Sequence, residues 1–301
     1  MTVDQLTVQK RFRQLEYRQL NVNTLDLENG GCLRYEDDGS GRPIVLLHGW
    51  GMQGKFFDQQ VSALSPNFRV VVPDLRGHGR SSPLREGQGL PTLVDDVAEL
   101  LVSLDLSGAL LVGWSMGAMV AWSLMQRKES TRIAGLVTID MVPRLLNDEI
   151  WKFGLRDGLD ASVFSPVAKR MIADWPEFTR VFVPRIFARG KSDERKALAN
   201  QMVNETEKND PESMARLWLS MAEQDFRSNL SKIDTPALVV HGALSQLYSE
   251  AANDWVVGQM PNARRVDFAS SGHAPHIEEP GLFAREIEKF ADEIESCVGG
   301  G

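Results

Sequence analysis

"ALLVGWSMGAMVAWSLMQR", residues 109–127, joins two patterns end to end. Ala109 to Trp114 is a continuous apolar run, which suits a strand buried on both faces, and Ala118 onward reads as a helix. Gly113-x-Ser115-x-Gly117 stands at the junction. A turn this tight strains the backbone of its central residue, and Cβ atoms at the flanking glycines would collide with it. The serine hydroxyl is thereby lifted above the sheet edge, at a helix N-terminus whose partial positive charge favours a developing anion. Ser115 is the expected nucleophile, against the alternative of a purely structural turn.

Working outward, "RQLNVNTLDL", "GCLRYEDD", "PIVLLHG" and "FRVVVPDL" precede a helix near Leu90 to Leu104, and "IAGLVTID", "TPALVVHG" and "ARRVDFAS" follow the elbow as further strands. Strands alternating with helices predict an α/β fold, a mostly parallel sheet flanked by helices and closed by the amphipathic "GLFAREIEKFADEIES". The alternation stops between Pro143 and about Ile233, where the chain reads as helices punctuated by Pro166, Pro176, Pro184 and Pro211. This predicts a helical cap over 143–233, inserted between core segments 1–142 and 234–301. Trp151, Phe153 and Phe182 of the cap, with Trp114 of the core, are expected to line a substrate pocket, although such side chains also simply pack helices together.

The 301 residues are 43% hydrophobic, enough for one large domain with an insertion, and their net charge of −8 argues against nucleic acid as the main ligand. Two cysteines, Cys32 and Cys297, form no metal-ligand pattern, so neither metal nor cofactor is expected and reduced thiols of a cytoplasmic protein are the reading. The N-terminus "MTVDQLTVQKRFRQLEY" lacks the apolar run of a secretory signal, no stretch is long and apolar enough for a membrane span, and the terminal "SCVGGG" is flexible by composition. One local exception to the acidic balance lies between Val167 and Lys196. There Lys169, Arg170, Arg180, Arg185, Arg189, Lys191, Arg195 and Lys196 outnumber Asp174, Glu177, Asp193 and Glu194 by four.

Two further motifs complete a hydrolytic centre. "LLHGWGM", Leu46 to Met52, ends a strand in a turn that can aim backbone N–H groups at an oxyanion, each typically worth about 3 kcal/mol in a transition state. Those donors are assigned to Trp50 and Met116, while His48 reads as a brace for the loop. "SSGHAPHIEEP", Ser270 to Pro280, supplies His273 as general base in a glycine loop, with His276 as a wall or helix-start residue. Asp74, Arg76 and His78 of "VVPDLRGHGRSS" read as loop-fixing groups.

"LLHGWGM", "VVPDLRGHGRSS", "GWSMGA" and "GHAPHIEEP" together resemble the motifs of the α/β-hydrolase superfamily, over the whole chain except about the first twenty residues and the cap. The HGWG and GWSxG pair most resembles pimeloyl-acyl-carrier-protein methyl ester esterases and related carboxylesterases. The resemblance implies a triad aspartate a few residues past "HG" at His241 and Gly242, yet Ser245 stands there. Losing the carboxylate that orients the histidine costs about 10⁴ in turnover. It also implies that "GLVTID" lies beside the nucleophile strand, so Asp140 is the expected substitute; Glu250 or Asp254, or no acid at all with Ser245 or water orienting His273, are the alternatives.

The combined reading is a serine esterase that cleaves a carboxylic ester through an acyl-enzyme, without cofactor. Its substrate is a small-molecule acyl ester, and the basic cap could steer an acidic acyl-carrier protein that bears it. A lyase or cofactor-independent oxygenase on the same scaffold, and a non-catalytic receptor for a small ligand, stay open as rivals.

Overall fold

The computed structural model describes residues 22–156, 161–190 and 192–298. The readings made for the N-terminal segment, Lys191 and Gly299–Gly301 lie outside them, as does the Cys297 side chain. Eight strands form one sheet: β1 (Val22–Asp26), β2 (Cys32–Asp38), β3 (Pro43–Leu47), β4 (Arg69–Asp74), β5 (Ala109–Trp114), β6 (Ile133–Ile139), β7 (Ala237–Gly242) and β8 (Ala263–Phe268). Their order is β1-β2-β4-β3-β5-β6-β7-β8; β1, β2 and β4 pair antiparallel, and every pairing from β4 through β3 to β8 is parallel.

Successive strand residues point to opposite faces, so a strand covered on both sides must be apolar at every position. Val45, Val71, Leu111, Leu136 and Val239 enter the core on one face; their neighbours Ile44, Val70, Leu110, Val137 and Leu238 enter the core on the other. The first face is covered by α2 (Leu90–Ser103) and α3 (Met116–Leu124), through Leu93, Val97, Met119 and Trp122. The second is covered by α1 (Asp58–Leu64) and the long C-terminal helix Pro280–Val298, through Val61, Phe283 and Ile287.

Between β6 and β7 the chain forms α4 (Ala161–Ala173), α5 (Trp175–Phe182), a 3₁₀ turn at Val183–Ile186, α6 (Asp193–Thr206) and α7 (Pro211–Ala222). Pro176, Pro184 and Pro211 each fall at the first or second position of an element, where a missing N–H costs nothing. Pro166 departs from the expected punctuation: it lies inside α4, which continues past it without the backbone bond that Pro cannot donate. Asp174, Ser192 and Asp210 cap the helices that follow them by accepting from the N–H groups of Glu177, Arg195 and Ser213. After β7 come α8 (Glu250–Gln259) and the short α9 (Pro275–Glu278), with the C-terminal helix as α10. Among the described residues no helix is long and apolar enough to cross a membrane.

Candidate active site

Three adjacent parallel strands end in a row. Trp114 of β5 pairs with Ile139 of β6, and Ile139 pairs with Val240 of β7, so the next residues, Ser115, Asp140 and His241, emerge side by side at the sheet's carboxyl edge. Ser115 N donates to Ile139 O at 3.0 Å and Asp140 N to Val240 O at 2.8 Å, which carries the ladder through the first two of them. Both depart from strand geometry immediately, with φ of 54° at Ser115 and 43° at Asp140. A positive φ in a residue with a Cβ costs about 1–3 kcal/mol and persists only where the surroundings impose it.

The flanking glycines make room for it at Ser115. A Cβ on Gly113 would stand 2.4 Å from Gly117 O, and one on Gly117 would stand 2.3 Å from Leu47 O at the end of β3. The second contact locks the elbow against the neighbouring strand, not only against itself. Met116 then opens α3, so its N–H has no acceptor within the helix.

His273 comes to the same edge on the loop after β8. Its Nδ1 lies 2.8 Å from Asp140 Oδ2, which leaves Nε2 as the nitrogen able to accept a proton. The loop is held from several sides: His273 N donates to Ile186 O at 2.7 Å, Trp114 Nε1 donates to His273 O at 2.8 Å, and Gly272 N donates to Glu278 Oε1 at 2.6 Å. Its approach to β7 tolerates no side chain at Gly242, where a Cβ would fall 1.7 Å from Gly272 O.

The Asp140 carboxylate is fully buried, and three donors meet it. Besides His273, His241 Nδ1 lies 2.9 Å from Oδ1, and the Ser245 hydroxyl donates to Oδ2 at 2.7 Å. Burial pushes the carboxyl up, but the bonds from His241 and His273 outweigh it and hold Asp140 below its usual range. Glu250 and Asp254, the alternative acids, are exposed and pair instead with Arg265.

Trp50 N–H meets no acceptor among the described residues, whereas the next two N–H groups are engaged, Gly51 with His78 Nε2 at 3.0 Å and Met52 with Gly49 O at 3.1 Å. The loop is also fastened to the cap. Trp50 Nε1 donates to Met214 O at 2.9 Å, Asn209 Nδ2 to Gly51 O at 2.8 Å and Gln53 Nε2 to Glu205 O at 3.3 Å. The Trp50 indole is ringed by Trp175, Phe178, Phe182 and Trp218, at centroid separations of 5.3 to 6.1 Å.

His48 braces the loop: Nε2 accepts from Leu75 N at 2.9 Å and Nδ1 donates to Gly49 O at 2.9 Å. Burial lowers its affinity for a second proton, which suits a neutral ring. Asp74 accepts from Gly54 N, Arg80 N and Arg80 Nε; Arg76 is fully buried on Asp96 at 2.7 Å. His276 is walled in by Phe57 and Trp114 and is driven well below its usual pKa by burial and the neighbouring His273.

Ser115 and His273 open onto one cavity of 310 Å³ between sheet edge and cap, with mostly apolar walls. Trp114 and Phe182 line it, together with Phe178, Trp218 and Tyr248. Trp151 and Phe153 are a correction to the expected pocket. They pack on each other, Trp151 also packs on Trp255 and gives its Nε1 to Arg144 O at 3.0 Å, and neither lines the cavity. Arg156, Arg170 and Arg185 lie on the cavity wall, and Arg156 and Arg185 also line an adjoining cleft with Arg189 and Gln246. Part of the basic excess is absorbed internally: Arg180 pairs with Glu207, Arg195 with Glu278 and Lys196 with Asp193. His241 and Tyr248 were not singled out in the sequence; the one available signal was the parallel register that sets His241 beside Asp140. Among the described residues no cluster of His, Cys, Asp and Glu has the arrangement to hold a metal ion.

The chain belongs to the α/β-hydrolase fold family, whose model it matches over residues 42–280. It is 29% identical to the pimeloyl-[acyl-carrier protein] methyl ester esterase of Vibrio vulnificus over 261 residues, covering 86% of this chain and 98% of that one. Its structure is similar to a thermophilic esterase from Thermogutta terrifontis, with a TM-score of 0.79, 26% identity and coverage of 91% and 97% of the two chains. It is also similar to a bromoperoxidase from Bacillus anthracis, with a TM-score of 0.83, 26% identity and coverage of 90% and 100%.

Proposed function

We propose that this chain hydrolyses carboxylic esters through an acyl-enzyme, with Ser115 as nucleophile, His273 as general base and acid, and Asp140 as the orienting carboxylate. The observation that carries the reading is the 2.8 Å contact between Asp140 Oδ2 and His273 Nδ1, at a sheet edge where the neighbouring strand presents a strained serine to the same cavity as that histidine. Ser115 Oγ attacks the ester carbonyl while its proton passes to His273 Nε2. The negative oxygen that forms is met by the N–H groups of Trp50 and Met116, the second at a helix N-terminus. The tetrahedral adduct expels the alcohol, which takes the proton from His273. Water, deprotonated by His273, then releases the acid and restores Ser115.

The apolar cavity suits a hydrocarbon or aromatic acyl group, and the arginines at its wall suit a substrate whose far end is anionic or joined to an acidic carrier. The name of the Vibrio relative is consistent with a carrier-linked methyl ester.

A p-nitrophenyl ester series from short to long acyl chains, run on wild type and Ser115→Ala beside labelling with a fluorophosphonate, tests the reading. Turnover and labelling that both vanish in Ser115→Ala are expected. A folded wild type that neither labels nor turns over any ester would overturn it; conversion of another substrate class without labelling would favour a lyase or oxygenase, and ligand binding alone a receptor.

A further inference from the structure

His241 is buried and is not among the residues that line the cavity, yet it reaches the orienting carboxylate from the side opposite the general base. Asp140 Oδ2 accepts from His273 Nδ1 at 2.8 Å and from Ser245 Oγ at 2.7 Å, while Oδ1 faces His241 Nδ1 at 2.9 Å. A carboxylate held by one partner can turn about its Cβ–Cγ bond, because that torsion is broad. Donors on both oxygens remove the freedom. An ionised Oδ1 requires an N–H opposite it, so His241 carries its proton on Nδ1. With the proton on Nδ1 that nitrogen has no lone pair to offer, so Asn253 Nδ2, 2.9 Å from it, packs against it without donating to it and gives its hydrogen bond to Ser249 O at 3.2 Å.

We propose that His241 is a positioning residue for the hydrolysis. By donating to Asp140 Oδ1 it fixes the plane of the carboxylate, so that Oδ2 stays aimed at His273 Nδ1. The single acid of this site thereby serves two imidazoles, one that moves protons and one that only holds. This rests on the esterase reading above, and His241 acts through Asp140 without touching substrate.

The test measures kcat and KM on a short p-nitrophenyl ester for wild type, His241→Phe and His241→Asn, each also in an Asp140→Asn background, and follows the His273 Nδ1 proton by NMR. His241→Phe should lower kcat about 10- to 100-fold, the range for losing a hydrogen bond to a charged group, with KM unchanged. His241→Asn, which keeps a side-chain N–H near the place of Nδ1, should recover most of the loss. In the Asp140→Asn background the further loss from His241→Phe should fall to less than about twofold, because the effect runs through the carboxylate. The His273 Nδ1 resonance should shift in His241→Phe and return in His241→Asn. If the phenylalanine variant does not fold, His241→Ala takes its place. The proposal is overturned if a folded variant keeps wild-type kcat, if the asparagine variant falls as far as the phenylalanine one, or if the loss persists undiminished without Asp140. Should wild type turn over no ester, the esterase reading fails, and an unmoved resonance in His241→Phe would then sink the positioning role separately.

Discussion

The hydroxyl of Ser245 stands 2.7 Å from Oδ2 of Asp140, the oxygen that also faces His273. The position past β7 where the resemblance calls for a carboxylate therefore still reaches the proposed triad, as a donor to an acid at the end of the neighbouring strand β6. Leu247 N and Tyr248 N both point at the same Ser245 oxygen at 3.3 Å, so the hydroxyl proton is left to face Asp140.

The two positions should be partly interchangeable. Asp140→Asn alone should lower kcat about 10⁴-fold. Asp140→Asn with Ser245→Asp should recover a large share of that loss, because the new carboxylate starts within hydrogen-bond reach of the old one. Steady-state kinetics on one ester settles it, and a double variant no faster than Asp140→Asn would show that the later position cannot serve.

Acid stability should carry the mark of Asp140. Its carboxyl is held below the ordinary 3.8 in the folded chain, so it binds protons more weakly there than when unfolded. Its contribution is fully present above that ordinary value and is lost as pH falls through the lower folded one. Urea midpoints of wild type and Asp140→Asn, compared at descending pH, should converge at the acid end, whereas a constant difference would contradict the linkage.

Gly242→Ala should disturb stability and catalysis together. The added methyl meets Gly272 O, one residue before His273. Overpacking of this kind costs about 1–3 kcal/mol, and the displaced loop should lower kcat with little change in KM. Thermal unfolding and kinetics on the same sample separate the two effects.

Asn209→Ala should weaken transition-state stabilisation although Asn209 lies in the connection between α6 and α7. Its amide holds Gly51 O at 2.8 Å, next to the Trp50 N–H assigned to the oxyanion. A fall in kcat up to about 10²-fold is expected, since losing one such donor outright costs 10²–10³. Unchanged kcat in a folded variant would place the oxyanion donors elsewhere.

Arg185→Glu with Arg189→Glu should raise KM for a carrier-linked ester and leave a neutral p-nitrophenyl ester unaffected, with the difference shrinking at high salt. Arg180→Glu, at a residue that does not line the cavity, should do less. Equal behaviour of all three on both substrates would remove the carrier from the reading.

The centre of the sheet was legible because burial on both faces leaves no room for polar alternation, and every strand read from "PIVLLHG" to "ARRVDFAS" lies in the sheet, the partly exposed edge strand β8 included. The elbow was legible because two glycines and a serine at fixed spacing have a steric cause. The surroundings of Asp140 were less so: His241 and Ser245 lie about a hundred positions further along the chain and meet it only through strand register. Trp151 and Phe153 misled because a large apolar residue in a cap looks the same in sequence whether it faces a ligand or another helix. The bond from the Trp151 indole to Arg144 O, set by the local turn, decides which.

The fastening of Trp50 to Met214 has a pharmacological corollary. With the bonds from Asn209 and Gln53 it joins the roof of the chamber to the loop proposed to receive the oxyanion, so lifting the roof should disarm the site. A compound bound in the cavity against Phe178 and Trp218 that displaces the Trp50 indole should lower turnover without ever meeting the serine.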